Sequence, residues 1–266
     1  MLATHSIKTR VTVFTLAIFL VSLWALSYYA SSMLRNDMQR LLGEQQFSVV
    51  SMIAGEINDE LRDAKAGLEK LASDIDSRLM TNPVALQALL ERSVFWEHMF
   101  NGGLFITDAR GTAIADVPLL TGRIGTNYID RESVSVPLQQ GISVIGRPAM
   151  GKRLGVPIFS VVAPIRDAGG RVIGAVVGTV NLDKSSFLAK VSGHTYGKTG
   201  SYVLADRKRR VFIAGADTSR TLSSFPAPGV APQLDRFAQG YEGTLTYVNP
   251  AGIEVMASVK GIEVAD

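Results

Sequence analysis

Val11 to Ala30, VTVFTLAIFLVSLWALSYYA, runs for twenty residues without a formal charge. No other stretch limits the fold so strongly, because twenty apolar residues wound as a helix are just long enough to cross a hydrocarbon core. His5, Lys8 and Arg10 precede the run, and Trp24, Tyr28 and Tyr29 gather toward its far end, where aromatic rings favour the membrane interface. Positive charge before the span predicts a cytoplasmic N-terminus and an exported remainder. A cleaved signal peptide is the competing reading. The run is long for a signal core, however, and Tyr28-Tyr29-Ala30 is a poor small-x-small cleavage site. The expectation is an uncleaved anchor, with residues 1–10 cytoplasmic, 11–30 transmembrane and 31–266 outside.

A long helical pattern follows almost directly. Val50, Ile53, Ile57, Leu61, Ala64, Leu68, Leu71, Ile75 and Leu79 recur at spacings of three and four, which puts them on one stripe. Glu56, Asn58, Asp59, Glu60, Arg62, Asp63, Lys65 and Lys70 occupy the other face. A helix over residues 31–80 is expected to end near Leu79, because Thr81-Asn82-Pro83 is a turn and restart signal. From about Leu34 to Leu79 it would span roughly 65–70 Å, longer than one small domain requires. The reading is a rod rising from the membrane; an ordinary core helix broken near Gly43 is the alternative. The same stripe could pair two copies in a parallel homodimer, so its lower and upper parts would have to divide that work.

The exported part is nearly neutral. The chain has 27 Lys and Arg against 24 Asp and Glu, and Lys8 and Arg10 lie before the span, so no basic field points to nucleic acid. Cysteine is absent, which removes disulfides and thiolate chemistry. His5, His98 and His194 are isolated in sequence, which gives a metal centre no support, and no cofactor loop is recognisable. Gly197-Lys198-Thr199-Gly200 lacks phosphate-loop spacing and precedes a strand pattern, so it reads as a turn. No paired carboxylates or nucleophile–base set justifies an enzyme assignment.

Periodicity predicts a mixed α/β (α+β) body. Pro83–Arg92 reads as a short helix, and Phe95, Trp96 and Phe100 as an aromatic cluster where helices meet a sheet. Residues 103–108 and 112–117 form a hairpin around Ala109-Arg110-Gly111. A helix over roughly Arg131–Gln139 ends at Gly141, with Asp130 as its potential cap. Ile142–Arg147 reads as a strand, Met150–Val156 as a loop, Pro157–Pro164 as a central strand and Arg171–Leu182 as the next. Gly174 and Gly178 mark a bend or close contact there. Ser185–Val191 reads as a short helix. Ser201–Ala205 and Arg210–Ala214 then repeat the plan of strand, Asp-led turn, strand, and Asp206-Arg207-Lys208-Arg209-Arg210 could also meet lipid headgroups. Pro232–Gln239 reads as helix and residues 243–260 as a closing hairpin.

Several segments in this order carry a family look. They are G-L-F-I-T-D-A-R-G at 103–111, N-Y-I-D-R-E at 127–132, V-I-G-R-P at 144–148, P-I-F-S-V-V-A-P-I-R-D-A-G-G-R-V-I-G at 157–174 and Y-G-K-T-G-S-Y-V-L-A-D at 196–206. With the long helix behind a membrane span, they make residues 34–266 resemble the double Cache family, the extracytoplasmic sensor modules of bacterial receptors. The tail, with P-A-P-G-V-A-P-Q-L-D-R at 226–236 and E-V-M-A-S-V-K at 254–260, is similar to proteins carrying a cytoplasmic diguanylate cyclase. The resemblance implies two PAS-like antiparallel-sheet modules, membrane-distal over residues 81–191 and membrane-proximal over 192–266. It also implies truncation before a second transmembrane helix, a place in the bacterial inner membrane, and small-metabolite binding in the distal module.

Five residues are candidates for that distal pocket. Asp130-Arg131 is foremost, since a guanidinium can hold a carboxylate through two parallel hydrogen bonds; a helix cap and a solvated charge are the competing roles. Glu132, Ser133 and Val134 follow, where the family commonly places pocket aromatics. Tyr128 offers an aromatic face and a hydroxyl, or fills the core. Arg147 ends a strand and either reaches the cavity or stays in solvent. Asp183 resembles the acid that receives a ligand ammonium, or caps the next helix. The expected ligand is a small metabolite, a carboxylate or an amino acid. A ligand-free dimerisation module, and a chemoreceptor or histidine-kinase sensor in place of a cyclase regulator, remain as alternatives.

Overall fold

One helix, α1 (Ile7–Ser73), carries both the apolar run and the amphipathic stripe without a break. The computed structural model describes residues 7–92, 99–119, 122–183, 188, 191, 195–249 and 251–265. Within α1 the apolar stretch is long enough to cross a membrane, and none of its most apolar window is buried in protein. That exposure fits a segment whose solvent is lipid. The helix ends six residues before Leu79. Asp76 then caps a separate single turn, α2 (Ser77–Met80), by accepting the N–H groups of Arg78 and Leu79 at 2.9 Å. An Asx cap competes with helix continuation, and here it wins.

The chain divides into two compact units, Met1–Val50 with Gly243–Val259 and Ser51–Glu242 with Lys260–Asp266. In the first, strands β11 (Gly243–Val248) and β12 (Glu254–Val259) form an antiparallel hairpin that meets α1. Thr244 Oγ1 donates to the Gly43 carbonyl at 3.0 Å, and Arg35 pairs with Glu254 at 2.8 Å. A Cβ at Gly43 would stand 3.2 Å from the Thr244 methyl. Gly43 therefore serves a close approach and does not break the helix.

The second unit is built on a six-stranded antiparallel sheet. Its strands are β1 (Leu104–Asp108), β2 (Ala113–Val117), β3 (Val144–Ile145), β4 (Ala149–Met150), β5 (Pro157–Arg166) and β6 (Val172–Asn181). The order is β2-β1-β6-β5-β3, with β4 also pairing to β5. The expected strand Ile142–Arg147 is limited to β3, and the expected loop from Met150 begins inside β4. Two short pairings along one edge of β5 replace a single longer strand, with Gly146 between them donating its N–H to the Ser160 carbonyl at 2.6 Å. Helix α3 (Pro83–Arg92) covers β2, and α4 (Glu132–Gln140) packs on β5 and β6.

Period-two alternation gives the sheet two buried faces. Leu104, Ile106, Val161, Val176 and Val180 join Ile57, Leu61, Ala64, Leu68, Leu71 and Ile75 of the α1 stripe in the larger core, with Ile53 and Leu79 half-buried at its margin. Phe100 lies in this core over Gly178, where an added Cβ would come 2.5 Å from its ring. Phe95 and Trp96 fall outside the described residues. On the other face Phe105, Tyr128, Val134, Val162, Ala175 and Val177 form a second cluster.

Beyond β6, the residues expected to form a second PAS-like sheet carry three separate two-stranded ladders among the described residues. Two of them are β7 (Thr195–Tyr196) with β8 (Gly200–Ser201), and β9 (Val203–Asp206) with β10 (Val211–Gly215); the third is the β11–β12 hairpin. Gly197-Lys198-Thr199 is the turn joining β7 to β8. A short helix, α5 (Pro232–Ala238), opens on proline as read from the sequence. The helix expected over Ser185–Val191 lies largely outside the described residues.

Candidate functional site

The face of the sheet turned away from α1 carries a cavity of about 420 Å³. The strands supply its floor. Register pairs Phe105 with Val177 and Val177 with Val162, and sets Thr179 opposite Ser160; directly paired residues share a face. Phe105, Val177, Thr179 and Ser160 accordingly line the cavity, while Val176 and Val180 on the same strand point to the α1 core.

The walls come from the start of α4 and from residues 147–154, and polar contacts clip the two together. Asp130 pairs with Lys152 at 2.5 Å, and Arg131 Nη2 donates to the Met150 carbonyl at 3.1 Å. Glu132 pairs with Arg147. Lys152 also donates to the Asn127 carbonyl at 3.0 Å and stands 5.6 Å from the Tyr128 ring centroid. The hydrogen bond from Lys152 holds the Asp130 carboxyl below its usual 3.8. Burial pushes the Tyr128 phenol above 10.0, against the pull of the Arg123 charge. Exposed ion pairs are individually worth about 0.2–1 kcal/mol, so this clip can open at small cost.

Four of the five sequence candidates, Tyr128, Asp130, Arg131 and Arg147, meet at this cavity. Asp183 does not line it. That carboxylate is exposed, and its residue is tethered by its own N–H, which donates to Asn181 Oδ1 at 2.9 Å. Nor does Asp130 cap α4: Arg131 occupies the N-cap position without a side-chain cap bond, and the Asp130 carboxylate is spent on Lys152. Glu132, Ser133 and Val134 line the cavity as themselves, and its aromatic surface comes instead from Phe105 and Tyr128, whose rings lie 4.8 Å apart.

Sequence reasoning missed Arg123, Lys152, Arg153 and Thr179. Arg123 sits in a glycine-flanked loop with no pattern to mark it. Folded, its side chain is 3% exposed and donates to Asp116 at 2.8 Å, and its guanidinium carbon lies 5.1 Å from the Phe105 ring centroid. It also donates to the Gly102 carbonyl. Thr179 was legible in principle, since alternation along β6 sets it on the face of Val177. It is 1% exposed, and among the described residues its hydroxyl has no hydrogen-bond partner. Among the described residues no group of three or more His, Cys, Asp or Glu gathers as a metal site.

An antiparallel sheet with the Ile57–Ile75 stripe on one face and a polar cavity on the other is the arrangement to compare with known folds. Solved structures share the fold. An extracellular ligand binding receptor from Desulfohalobium retbaense aligns at 19% identity and TM-score 0.59, over 76% of this chain and 36% of that one. The ligand binding domain of Mlp24 with asparagine aligns at 18% and 0.64, over 86% and 90%. The ligand binding domain of the Pseudomonas aeruginosa amino acid chemoreceptor PctC in complex with GABA aligns at 19% and 0.58, over 79% and 88%. This chain thus spans about a third of the Desulfohalobium receptor and most of the two isolated domains. No family model matches the chain, and no curated protein matches it. The likeness is one of fold: the chain folds like these solved ligand-binding domains.

Proposed function

We propose that this chain is the extracytoplasmic sensing segment of a bacterial inner-membrane receptor, with its N-terminus cytoplasmic. It takes a small carboxylate-bearing metabolite and signals occupancy through α1. One observation carries the reading: alternate residues of the same strands serve the cavity and the helix. Thr179 and Val177 face the cavity while Val176 and Val180 pack with the α1 stripe, so a shift of β6 on ligation is felt directly by the helix. Close-packed interiors transmit such shifts. For the shift to signal, the ligand must favour one of two arrangements, and the weakly clipped wall at residues 130–132 and 147–152 supplies the element that rearranges. Tyr128, Asp130, Arg131 and Arg147 are the contact residues in this reading, and Asp183 is released from it. A ligand-free structural module would call for an apolar cavity, whereas Arg123, Arg131, Arg147, Lys152 and Arg153 line this one.

The output is assigned to a cytoplasmic domain, such as a diguanylate cyclase, on the resemblance of the 226–236 and 254–260 segments. A homodimer through α1 is supported by Met33, Leu34, Met38, Leu41 and Leu42, which remain exposed beyond the uncharged run. The test is a thermal-shift screen of the full chain in lipid nanodiscs against organic acids and amino acids. A stabilising compound is expected, because a ligand that binds only the folded state raises its melting point. Arg131→Ala should weaken it roughly 10- to 100-fold, the worth of a charge-assisted hydrogen bond, while the unliganded melting point holds. Full retention of binding in that variant would remove Arg131 from the site.

A further inference from the structure

The lining has a lopsided charge. Five cationic side chains, Arg123, Arg131, Arg147, Lys152 and Arg153, stand against two carboxylates, Asp130 and Glu132. Both carboxylates are already neutralised, Asp130 by Lys152 and Glu132 by Arg147. Arg123 is matched by the buried Asp116 behind it. Arg131 and Arg153 therefore stand in excess. Among the described residues neither forms an ion pair, although the Arg131 charge acts on Asp130: Arg131 donates to the Met150 carbonyl at 3.1 Å and Arg153 Nε to Thr126 Oγ1 at 2.8 Å. Each guanidinium has five N–H donors, so both retain donors for an anion. At the floor, Thr179 lines the cavity, and its buried hydroxyl has no hydrogen-bond partner among the described residues. Such a group is costly to leave unpaired and gains from an incoming oxygen acceptor.

An ammonium group finds the opposite. Every carboxylate of the lining is held by a cation, and Asp183 does not line the cavity. To seat an ammonium, Lys152 or Arg147 would have to leave its partner, a small cost in itself, and the ammonium would then stand in a lining whose cations outnumber its carboxylates. We infer that the cavity takes a small organic dianion, with anionic oxygens at Arg131 and Arg153 and a further oxygen at Thr179, and discriminates against zwitterionic amino acids. This inference rests on the sensing role proposed above and adds the charge of the ligand to it. It also separates this site from those of the Mlp24 and PctC domains, solved with asparagine and GABA.

The experiment is calorimetric titration of the full chain in nanodiscs at neutral pH with succinate, glycerol 3-phosphate, monomethyl succinate and L-asparagine. The expected result is binding of at least one dianion, with the monoester and L-asparagine each weaker by about tenfold or more, the size of one lost charge-assisted contact. The two dianions distinguish a dicarboxylate site from a phosphate-ester site. Arg153→Gln, at an exposed position, should keep the unliganded melting point and weaken the dianion more than the monoester. Thr179→Val should weaken both. L-Asparagine binding as tightly as the better dianion overturns the inference while leaving the sensing role standing. Failure of both dianions to bind overturns the inference, and the sensing role falls with it only if the thermal-shift screen of organic acids and amino acids also finds no ligand.

Discussion

Arg123→Ala is expected to destabilise the second compact unit by about 3–5 kcal/mol, the cost of breaking a buried ion pair from one side. Asp116 is fully buried and accepts both the Arg123 backbone N–H at 3.2 Å and its Nη1 at 2.8 Å. Removing the guanidinium takes the Arg123 charge away from a carboxylate held in a low-dielectric interior. The same side chain holds the Gly102 carbonyl and covers the Phe105 ring, so β1 loses its anchor where the cavity floor begins. Asp116→Asn should also be costly, because the buried Arg123 guanidinium then loses its countercharge and an amide offers one acceptor oxygen where the carboxylate uses two. In a denaturant titration the Asp116→Ala/Arg123→Ala double variant should lose less than the two single losses combined, as coupled residues do. Additive losses would show that the pair does not act as a unit.

Leu68→Ala should cost about 2–5 kcal/mol through the cavity it opens between α1 and the sheet. Leu68 is fully buried in the core that also holds Ile106, Val161, Val176 and Val180, and a close-packed interior refills such a space only in part. Val84 on α3 is 80% exposed, so Val84→Ala should stay within about 0.5 kcal/mol. Equal losses at the two positions would mean that the helix does not depend on its stripe for docking.

The parts of the fold that periodicity governs were legible. The α1 stripe, the β1–β2 hairpin, β5, β6 and the bounds of α3 all follow from spacings of 3.6 or 2 and from turn residues. What escaped was decided by local competition. The end of α1 turned on Asp76 capping a fresh turn, which a stripe running on to Leu79 conceals. The role of Asp130 turned on Lys152, 22 residues away, where a capping reading weighs only near neighbours. At the site, candidates in one strand-to-helix segment were found because their residue types are distinctive there. Arg123 and Thr179 were not, because burial confers their importance and the chain alone does not show which arginine or threonine will be buried. Of the aromatic surface, Tyr128 was read from the sequence, whereas Phe105, 23 residues upstream on β1, was not.

Hydrogen exchange of the full chain in nanodiscs, with and without a saturating dianion, tests the central claim most directly. If one sheet serves both the ligand and the helix, exchange should slow along 130–134 and 147–154 and also change along α1 from Ile57 to Leu71, on the opposite face. Protection confined to the cavity wall, with the helix unchanged at full occupancy, would contradict it.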